Sequence, residues 1–386
     1  MKRSSVLKKF DKEIENLFDT LYTIKDLLEE TGDYELSELG GGLLDFDDVL
    51  IRPKRSTLTS RKDVDLHRTY NFRHGGSYFE GIPIMAANMD GVGELEVGET
   101  LSALDLFTCY KKGIDEGALI EALSLYTVNN QREGVAVTIG RNDHDFDKLG
   151  RISKHVTVKN ICVDVANGYS QAFVDFVTKV RDNYPDSNIF AGNVVTGEMV
   201  EELLLAGADV IKVGIGSGSV CTTRIKTGVG YPQFSCIAEC ADAAHGLNGH
   251  IIADGGCTTP GDVAKAFGAG ADFVMLGSML AGSTEGGGEK VTILDKEYVE
   301  FYGMSSKKAN EKHNGGLKDY RTSEGRRVAI PYKGPMEGII QDILGGVRSA
   351  CTYAGASKLK HLSKCATFVR CTKTHSRIYE SNTLEI

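Results

Sequence analysis

The chain has 386 residues, of which 41% are hydrophobic and 25% are charged, a composition typical of a globular protein. Its formal net charge is −9 and no dense basic run occurs, so we expect no nucleic-acid partner and no binding to a membrane surface. No apolar stretch reaches the ~18 residues that span a bilayer, and the 9 cysteines are scattered without a C-x-x-C pair, which predicts reduced thiols and a cytoplasmic location.

The first forty residues have a pattern of their own. In "LKKFDKEIENLFDTLYTIKDLLEE", apolar residues recur at helical spacing, which predicts an amphipathic helix. The glycine run Gly40–Gly42 separates this segment from the rest. We therefore expect an N-terminal helical extension, residues 1–42, followed by one domain, residues 43–386.

Eight short runs of apolar, largely β-branched residues follow, each ending in a residue that favours turns. The runs are apolar on both faces, as expected of parallel strands that helices cover. They lie at 82–90, 106–110, 135–140, 161–168, 189–195, 210–216, 250–256 and 273–279.

Helical patterns separate these runs. In "TGEMVEELLLAG" we expect Thr196 to cap the helix and Gly207 to end it, and Pro260 opens a similar segment. The stretch "AGADVIKVGIGSG" resembles "AGADFVMLGSMLAG", which indicates a βα unit that occurs twice in the chain. The sequence thus predicts an α/β fold, a single (β/α)8 TIM barrel, with a doubly wound open sheet as the alternative. The long polar segment 283–335, after strand eight, is expected to form a mobile lid.

Polar residues stand where these strands end, which is where a barrel of this kind carries its site. Asn88, Asp90, Lys111, Lys112, Asp164 and Asn167 follow strands one, two and four. After strands seven and eight, the turns Gly255–Gly256 and Gly277–Ser278 suit a phosphate, with Ser219 as a further contact. Asp254 is then placed to accept hydrogen bonds from ribose hydroxyls.

The stretch "KVGIGSGSVCTTR" joins a buried strand to a glycine turn and then to Cys221. The turn is neither the G-x-G-x-x-G dinucleotide fingerprint nor a P-loop, so alone it could be merely a turn with positive φ. Hydroxyls and a cation follow the cysteine in "TTR", which favours a reactive thiol over a buried structural one.

A second cysteine-containing stretch, "CIAECADAAHGLNGH", has a spacing reminiscent of zinc ligands. It lacks a C-x-x-C pair and is rich in alanine, so we interpret it as a packed helix that ends at Gly246.

Several long stretches occur in a fixed order, among them "DFDDVLIRPKRSTL", "CVDVANGYS", "GSVCTTRIKTGVGYPQ", "FYGMSS" and "DILGGVRSACTYAGASKL". With them the chain resembles the GMP reductase family, the reductive sister of IMP dehydrogenase, from about residue 43 to 370. The resemblance implies a (β/α)8 barrel that converts GMP and NADPH into IMP, ammonia and NADP⁺. A cysteine suits this reaction because it is both a good nucleophile and a good leaving group.

The resemblance also implies roles for individual residues. Catalysis falls to Cys221, Thr223, Glu324 and Lys112. GMP would be bound by Ser219, Asp254, Gly255, Gly256, Gly277, Ser278, Tyr302, Gly303, Met304, Ser305, Arg321 and Gly325. NADPH would be bound by Ser60, Arg61, Lys112, Asp164, Val165, Ala166, Met304, Tyr320, Arg321, Ser349, Ala350, Cys351 and Thr352. A monovalent cation, K⁺, would lie at Gly216, Gly218, Cys221 and Arg224, and the assembly would be a homotetramer.

Two features favour the reductase over IMP dehydrogenase, which remains the alternative together with a catalytically silent nucleotide-binding regulator. The segment between Lys112 and Val135 is too short for the paired regulatory domains of the dehydrogenase, and the lid carries Tyr320–Arg321 instead of an Arg-Tyr pair. The chain departs from the family pattern at Lys111, Gly113, Ser217 and Ser278 and in "VTIGRND", which bears on rate and cofactor preference.

Overall fold

The computed structural model describes residues 42–75, 78–128, 134–313 and 315–371. The predicted N-terminal helix lies outside these ranges.

Eight parallel strands close into a barrel in the order β10-β11-β4-β5-β6-β7-β8-β9, which confirms the predicted (β/α)8 fold. Each predicted apolar run supplies one strand, and nearly every strand residue is buried, since helices cover the outside and side chains fill the inside. The strands are β4 Ile84–Ala86, β5 Phe107–Tyr110, β6 Val135–Ile139, β7 Asn160–Asp164, β8 Asn188–Val194, β9 Val210–Val213, β10 His250–Asp254 and β11 Phe273–Leu276.

Helices surround the barrel in the order of the chain. They are α1 Leu95–Ala103, α2 Glu116–Val128, α3 Asp143–Ile152, α4 Gln171–Asn183, α5 Gly197–Leu205, α6 Thr223–Thr227, α7 Gln233–Gly246, α8 Pro260–Ala269, α9 Lys307–His313, α10 Met336–Ala354 and α11 Leu362–Cys365. Short 3₁₀ turns lie at Phe46–Asp48, Arg61–Asp63 and Leu359–His361.

Two predicted helix starts have different outcomes. Thr259 caps α8 as the sequence indicates, because its hydroxyl accepts a hydrogen bond from the Asp262 N–H at 3.3 Å. Thr196 precedes α5 but makes no side-chain cap, so that expectation was wrong. Its hydroxyl lies 3.1 Å from the Tyr169 hydroxyl, and the Gly197 N–H donates to Glu239 Oε1 instead.

Short antiparallel pairs complete the fold. A hairpin of β2 Arg68–Asn71 and β3 Tyr78–Gly81 lies at the amino ends of the barrel strands, where Tyr70 and Phe79 place their rings 4.9 and 5.0 Å from that of Phe273. Strand β1 Val49–Ile51 pairs with β15 Phe368–Arg370.

The predicted lid, 283–335, has a regular structure of its own. Strands β12 Lys290–Ile293, β13 Lys296–Tyr302 and β14 Arg327–Pro331 form an antiparallel sheet, and α9 lies between β13 and β14. Whether the lid moves stays a prediction.

The repeated "GAD" of the sequence gives two buried carboxylates, Asp209 and Asp272, in equivalent positions. Asp209 accepts hydrogen bonds from the backbone N–H groups of His74 and Ile189 and pairs with Arg181 at 2.7 Å. Asp272 likewise accepts from the Ile251 N–H at 3.0 Å. Each aspartate therefore ties a strand start to the preceding βα unit.

We expect Asp209→Ala to destabilise the fold by about 3–5 kcal/mol, because it removes the ion-pair partner of the partly buried Arg181 and the acceptor of several backbone N–H groups. Urea unfolding of the variant measures this loss. Asp182→Ala on the exposed face of α4 is the matched control and should change stability by less than about 0.5 kcal/mol. Equal stabilities of the two variants would contradict the role of Asp209.

The second carboxylate predicts a pH dependence of stability. The hydrogen bond to Asp272 raises the pKa of His245 in spite of burial. The stabilisation that protonated His245 contributes is therefore complete below about pH 6.5, the pKa of an unfolded histidine. This contribution is lost as the pH rises through the raised pKa. We therefore expect the thermal unfolding midpoint to fall as the pH rises through the neutral to mildly alkaline range. His245→Gln should make this fall smaller, whereas His155→Gln, the control at an exposed site, should leave it unchanged.

Candidate active site

A cavity of about 310 Å³ opens at the carboxyl ends of the barrel strands, as the barrel fold predicts. Its wall takes residues from the ends of seven strands and from the lid. Predicted site residues that line it are Lys112, Asp164, Val165, Ala166, Gly216, Gly218, Ser219, Cys221, Thr223, Asp254, Gly255, Gly256, Gly277, Ser278, Gly303, Met304, Ser305 and Glu324.

Cys221 lies on the loop between β9 and α6, partly exposed to the cavity. Its sulfur is 3.2 Å from the Thr223 hydroxyl, which donates a hydrogen bond to Glu324 Oε2 at 2.9 Å. The thiol, the hydroxyl and the carboxylate thus form one connected chain. A nucleophile in contact with a proton-transferring group, which a third group holds in place, is the arrangement that covalent catalysis needs.

Backbone hydrogen bonds hold this lid carboxylate at the cysteine. The Thr222 N–H donates to the Glu324 carbonyl at 2.8 Å, and the Arg326 N–H donates to the Val220 carbonyl at 2.9 Å. On the other side of the segment, the Glu324 N–H donates to the Ser305 carbonyl at 3.2 Å. The lid segment therefore forms isolated β-bridges, at Gly325, with Cys221 of the cysteine loop and with Ser306 of the turn that follows β13.

Glycine makes this close packing possible. A Cβ on Gly325 would lie 2.9 Å from the Ser306 nitrogen and 3.1 Å from the Gly303 Cα. A Cβ on Gly303 would lie 2.9 Å from the Val220 carbonyl oxygen. A larger residue at either position would therefore require the turn at Gly303, the lid segment or the cysteine loop to shift.

The predicted phosphate turns lie together on another wall of the cavity. Gly255 and Gly256 have φ values of +92° and +86°, which glycine adopts without strain. Within the described chain, the backbone N–H groups of Ser219, Gly256 and Ser278 donate no hydrogen bond to another residue. Converging free N–H groups are the donors that a phosphate requires. Lys333 of the lid fixes the last turn by donating to the Ser278 carbonyl at 2.7 Å.

A buried lysine on β9, which the sequence analysis did not select, lines the same cavity. The Lys212 ammonium lies 2.6 Å from Asp164 Oδ1 and 3.4 Å from Asp254 Oδ2. Burial alone would lower the pKa of Lys212, but the two carboxylates outweigh it and raise that pKa well above its usual value. The signal in the sequence was a charged residue in the middle of the apolar run "VIKV".

Lys112 approaches Asp164 from the other side. Its ammonium lies 3.3 Å from Asp164 Oδ2 and donates to the Asp164 carbonyl at 2.9 Å. Burial favours the neutral form of Asp164, but the two lysines hold the pKa of this carboxyl well below its usual range.

The comparisons with known proteins agree with this geometry. The family model of the IMP dehydrogenase / GMP reductase domain matches residues 43–383. The chain belongs to the IMP dehydrogenase / GMP reductase family. Curated relatives include GMP reductase of Onchocerca volvulus, 56% identical over 87% of this chain and 93% of its own. Human GMP reductase 2 is 57% identical over 87% and 96% of the two chains, and GMP reductase of Enterobacter sp. (strain 638) is 54% identical over 88% and 97%.

Not every residue that the family resemblance selected faces the cavity. The Tyr302 side chain is buried, and its hydroxyl donates to Asp90 Oδ2 at 2.7 Å. Tyr320 and Arg321 are exposed on the lid, and Gly325 contributes backbone packing. A separate group lies on the outer side of the barrel, where α10 packs against the turn at Arg61: Ser60, Arg61, Ser349, Ala350, Cys351 and Thr352.

Cys351 in this outer group is fully buried, and burial raises its pKa to about 12. Its thiol therefore faces the interior instead of solvent. The exposed Ser60 hydroxyl is also engaged, since it accepts the Lys62 N–H at 3.2 Å in a capping box.

The residues expected around a cation have mixed geometry. The Gly218 carbonyl accepts the Cys221 N–H at 3.0 Å and keeps a second lone pair for a ligand. Arg224 pairs with Asp45 at 2.9 Å, so its guanidinium ties the loop to the chain before β1 and is itself a cation.

In the described ranges, no group of three or more His, Cys, Asp and Glu side chains is arranged for a metal, and Cys236 and Cys240 are buried in α7 as interpreted. Nor does any described helix combine the length and apolar character that crossing a membrane requires.

A second charged group fastens the lid to the barrel. Asp90, after β4, accepts hydrogen bonds from Tyr302, from Lys312 at 3.1 Å and from His313 at 2.7 Å. Burial works against its charge, but these bonds hold the pKa of Asp90 well below its usual range. The His313 ring also lies against Gly113, where a Cβ would be 3.4 Å from its Cε1, so this departure from the family pattern is filled by a lid residue.

We expect Asp90→Asn to loosen the lid, because a neutral amide no longer balances Lys312 and cannot accept three hydrogen bonds as strongly. Limited proteolysis within 283–335 should become about tenfold faster, the equivalent of losing one such bond. Asp319→Asn, at an exposed lid position, is the control. Identical cleavage rates in the two variants would show that Asp90 does not hold the lid.

Proposed function

We propose that this protein catalyses the reductive deamination of GMP: GMP + NADPH + H⁺ → IMP + NH₃ + NADP⁺. The observation that carries the proposal is the contact chain from Cys221 through Thr223 to Glu324 beside a cavity with phosphate-binding turns. The 54–57% identity to proteins named GMP reductase, over nearly their full length, supports the same reaction.

In the proposed reaction the Cys221 thiol first gives its proton, through the Thr223 hydroxyl, to the Glu324 carboxylate. The resulting thiolate attacks C2 of the purine, which forms a carbon–sulfur bond. The C2–nitrogen bond then breaks, and one proton passes from the Glu324 carboxyl through the Thr223 hydroxyl to the leaving amine. A covalent thioimidate between Cys221 and the purine remains. NADPH, when bound, supplies the hydride that C2 accepts. Breakage of the carbon–sulfur bond then returns the thiolate and releases IMP.

Binding follows from the two walls of the cavity. We propose that the N–H groups of Ser219, Gly256 and Ser278 hold the phosphate and that Asp254 accepts the ribose hydroxyls. Met304 and Ser305 meet the base, and Lys112 with Asp164–Ala166 faces the nicotinamide.

The residues on the outer side of the barrel enter the proposal through assembly. We propose a homotetramer in which the group around Ser60 and Ser349 contacts NADPH bound to a neighbouring subunit, since these residues lie outside their own subunit's cavity. We also propose that K⁺ binds to the backbone carbonyls of Gly216, Gly218 and Cys221, because K⁺ accepts carbonyl ligands. Arg224 then acts on the loop through Asp45.

The first experiment mixes the purified protein with GMP and NADPH and follows the loss of NADPH absorbance. We expect GMP-dependent loss that Cys221→Ala abolishes, because the variant lacks the thiol that is proposed to attack C2. Absence of turnover in the unmodified protein, combined with turnover of IMP and NAD⁺, would favour a dehydrogenase instead. Silence in both assays, with GMP still bound, would leave a nucleotide-binding regulator.

The relay predicts a graded effect. Thr223→Val and Glu324→Gln should each lower kcat about 100- to 10,000-fold, the usual contribution of a general acid. Alkylation of Cys221 and its protection by GMP should persist, since the cavity keeps its shape. Thr222→Val is the matched control, because the Thr222 hydroxyl is buried and, among the described residues, has no hydrogen-bond partner. A loss as large in the Thr222 variant would argue against a specific relay.

A further inference from the structure

The cavity floor carries a row of alternating charges that crosses three strands. Lys112, Asp164, Lys212 and Asp254 follow one another, with ammonium-to-carboxylate distances of 3.3, 2.6 and 3.4 Å. Two positive and two negative groups cancel, so the row is neutral as a whole. Its inner member is Lys212, whose side chain is only 1% exposed.

Polar contacts around Lys212 are few and directed. Besides Asp164, Asn88 Oδ1 accepts a hydrogen bond from the ammonium at 3.3 Å, and the Asn193 side-chain amide donates to Asp254 Oδ2 at 2.8 Å. The other titratable groups that face Lys212 are the buried thiols of Cys109 and Cys162. A lysine is costly to bury, and an apolar residue of similar volume would often be as stable or more so. The charge is therefore explained by what it does to its two partners.

Those partners stand on the two sides of the proposed chemistry. Asp164 contacts Lys112 on the side proposed for the nicotinamide, and Asp254 lies on the side proposed for the ribose. One ammonium lies between the two carboxylates and forms an ion pair with each, which limits how far apart they can move.

We propose that Lys212 is a positioning residue that holds Asp164 and Asp254 as paired anions, and so fixes the cofactor side of the site relative to the ribose side. This inference rests on the proposed function for the identity of the two sides. Lys212 itself does not transfer a proton. Without it, two carboxylates share the cavity with a single lysine, and Asp164 keeps Lys112 and the Asn88 side chain to offset its burial.

Lys212→Met keeps the length of the side chain and removes the charge. We expect kcat/KM for GMP to fall about 10- to 100-fold, mainly through KM, because Asp254 loses its ion-pair partner. We also expect the acid limb of the pH profile to move to higher pH, since loss of Lys212 raises the pKa of Asp164 and its protonation leaves Lys112 unpaired. Lys212→Arg restores the charge and should return the acid limb toward that of the unmodified protein.

The matched control is Lys265→Met, which removes another largely buried lysine, on α8, away from the cavity. It should cost stability without moving the pH profile or the KM. A Lys212→Met protein that folds and keeps both KM and pH profile overturns the inference and leaves the proposed function intact.

A measurement without turnover separates the two proposals. Carbon-13 titration of the aspartate carboxyls, with Asp164 assigned through Asp164→Asn, should find Asp164 ionised in the unmodified protein at every pH at which it is folded. In Lys212→Met the same carboxyl should titrate at higher pH. A normal titration of Asp164 in the unmodified protein overturns the inference even if the variant fails to fold or GMP is not turned over.

Discussion

The pairing of one lid segment, Glu324–Arg326, with the cysteine loop is the interaction on which the site depends. Two separate parts of the chain, the β9–α6 loop and the segment after α9, contribute the thiol and the carboxylate. Backbone hydrogen bonds on both sides of the Glu324–Arg326 segment bring the thiol and the carboxylate close together. The hydroxyl of Thr223 then connects these two groups. The reactive geometry is therefore held by main-chain atoms, which have little freedom to reorient.

Charge balance is the second constraint. Aromatic rings pack together at the amino end of the barrel, and a row of ionised groups lies toward its carboxyl end. Each of these ions has a partner of opposite sign within hydrogen-bond or ion-pair distance, as Asp164 does with Lys212 and Asp90 does with Lys312. Pairing lowers the energetic cost of burial and orients the groups.

The periodicity of the sequence was sufficient for the barrel, because strands that are buried on both faces leave continuous apolar runs and the intervening helices carry clear stops at Gly207 and Gly270. Asp254 could be selected because it ends a strand, Cys221 because it lies on the loop after β9, and Thr223 through the resemblance to a known family. Lys212 could not, since a sequence does not reveal which side chains inside a barrel share a layer. The placement of Tyr302 against Asp90 was also missed, because the lid sheet joins residues by pairing that periodicity does not encode. The sequence predicted that the Thr196 hydroxyl caps α5, and only the folded structure shows that it contacts Tyr169 instead.

The twin aspartates of the repeated "GAD" unit lie at the amino ends of the strands, on the face opposite to the cavity. The residues that hold the strands in place and the residues of the candidate active site therefore lie on opposite faces of the barrel. A substitution on the cavity face can alter the reaction while the two aspartates keep the strands in register. A substitution of either aspartate can be compensated by its neighbours without any change to the reacting groups. A fold divided in this way can change its chemistry in small steps, and the same barrel can serve an oxidative and a reductive branch of one family.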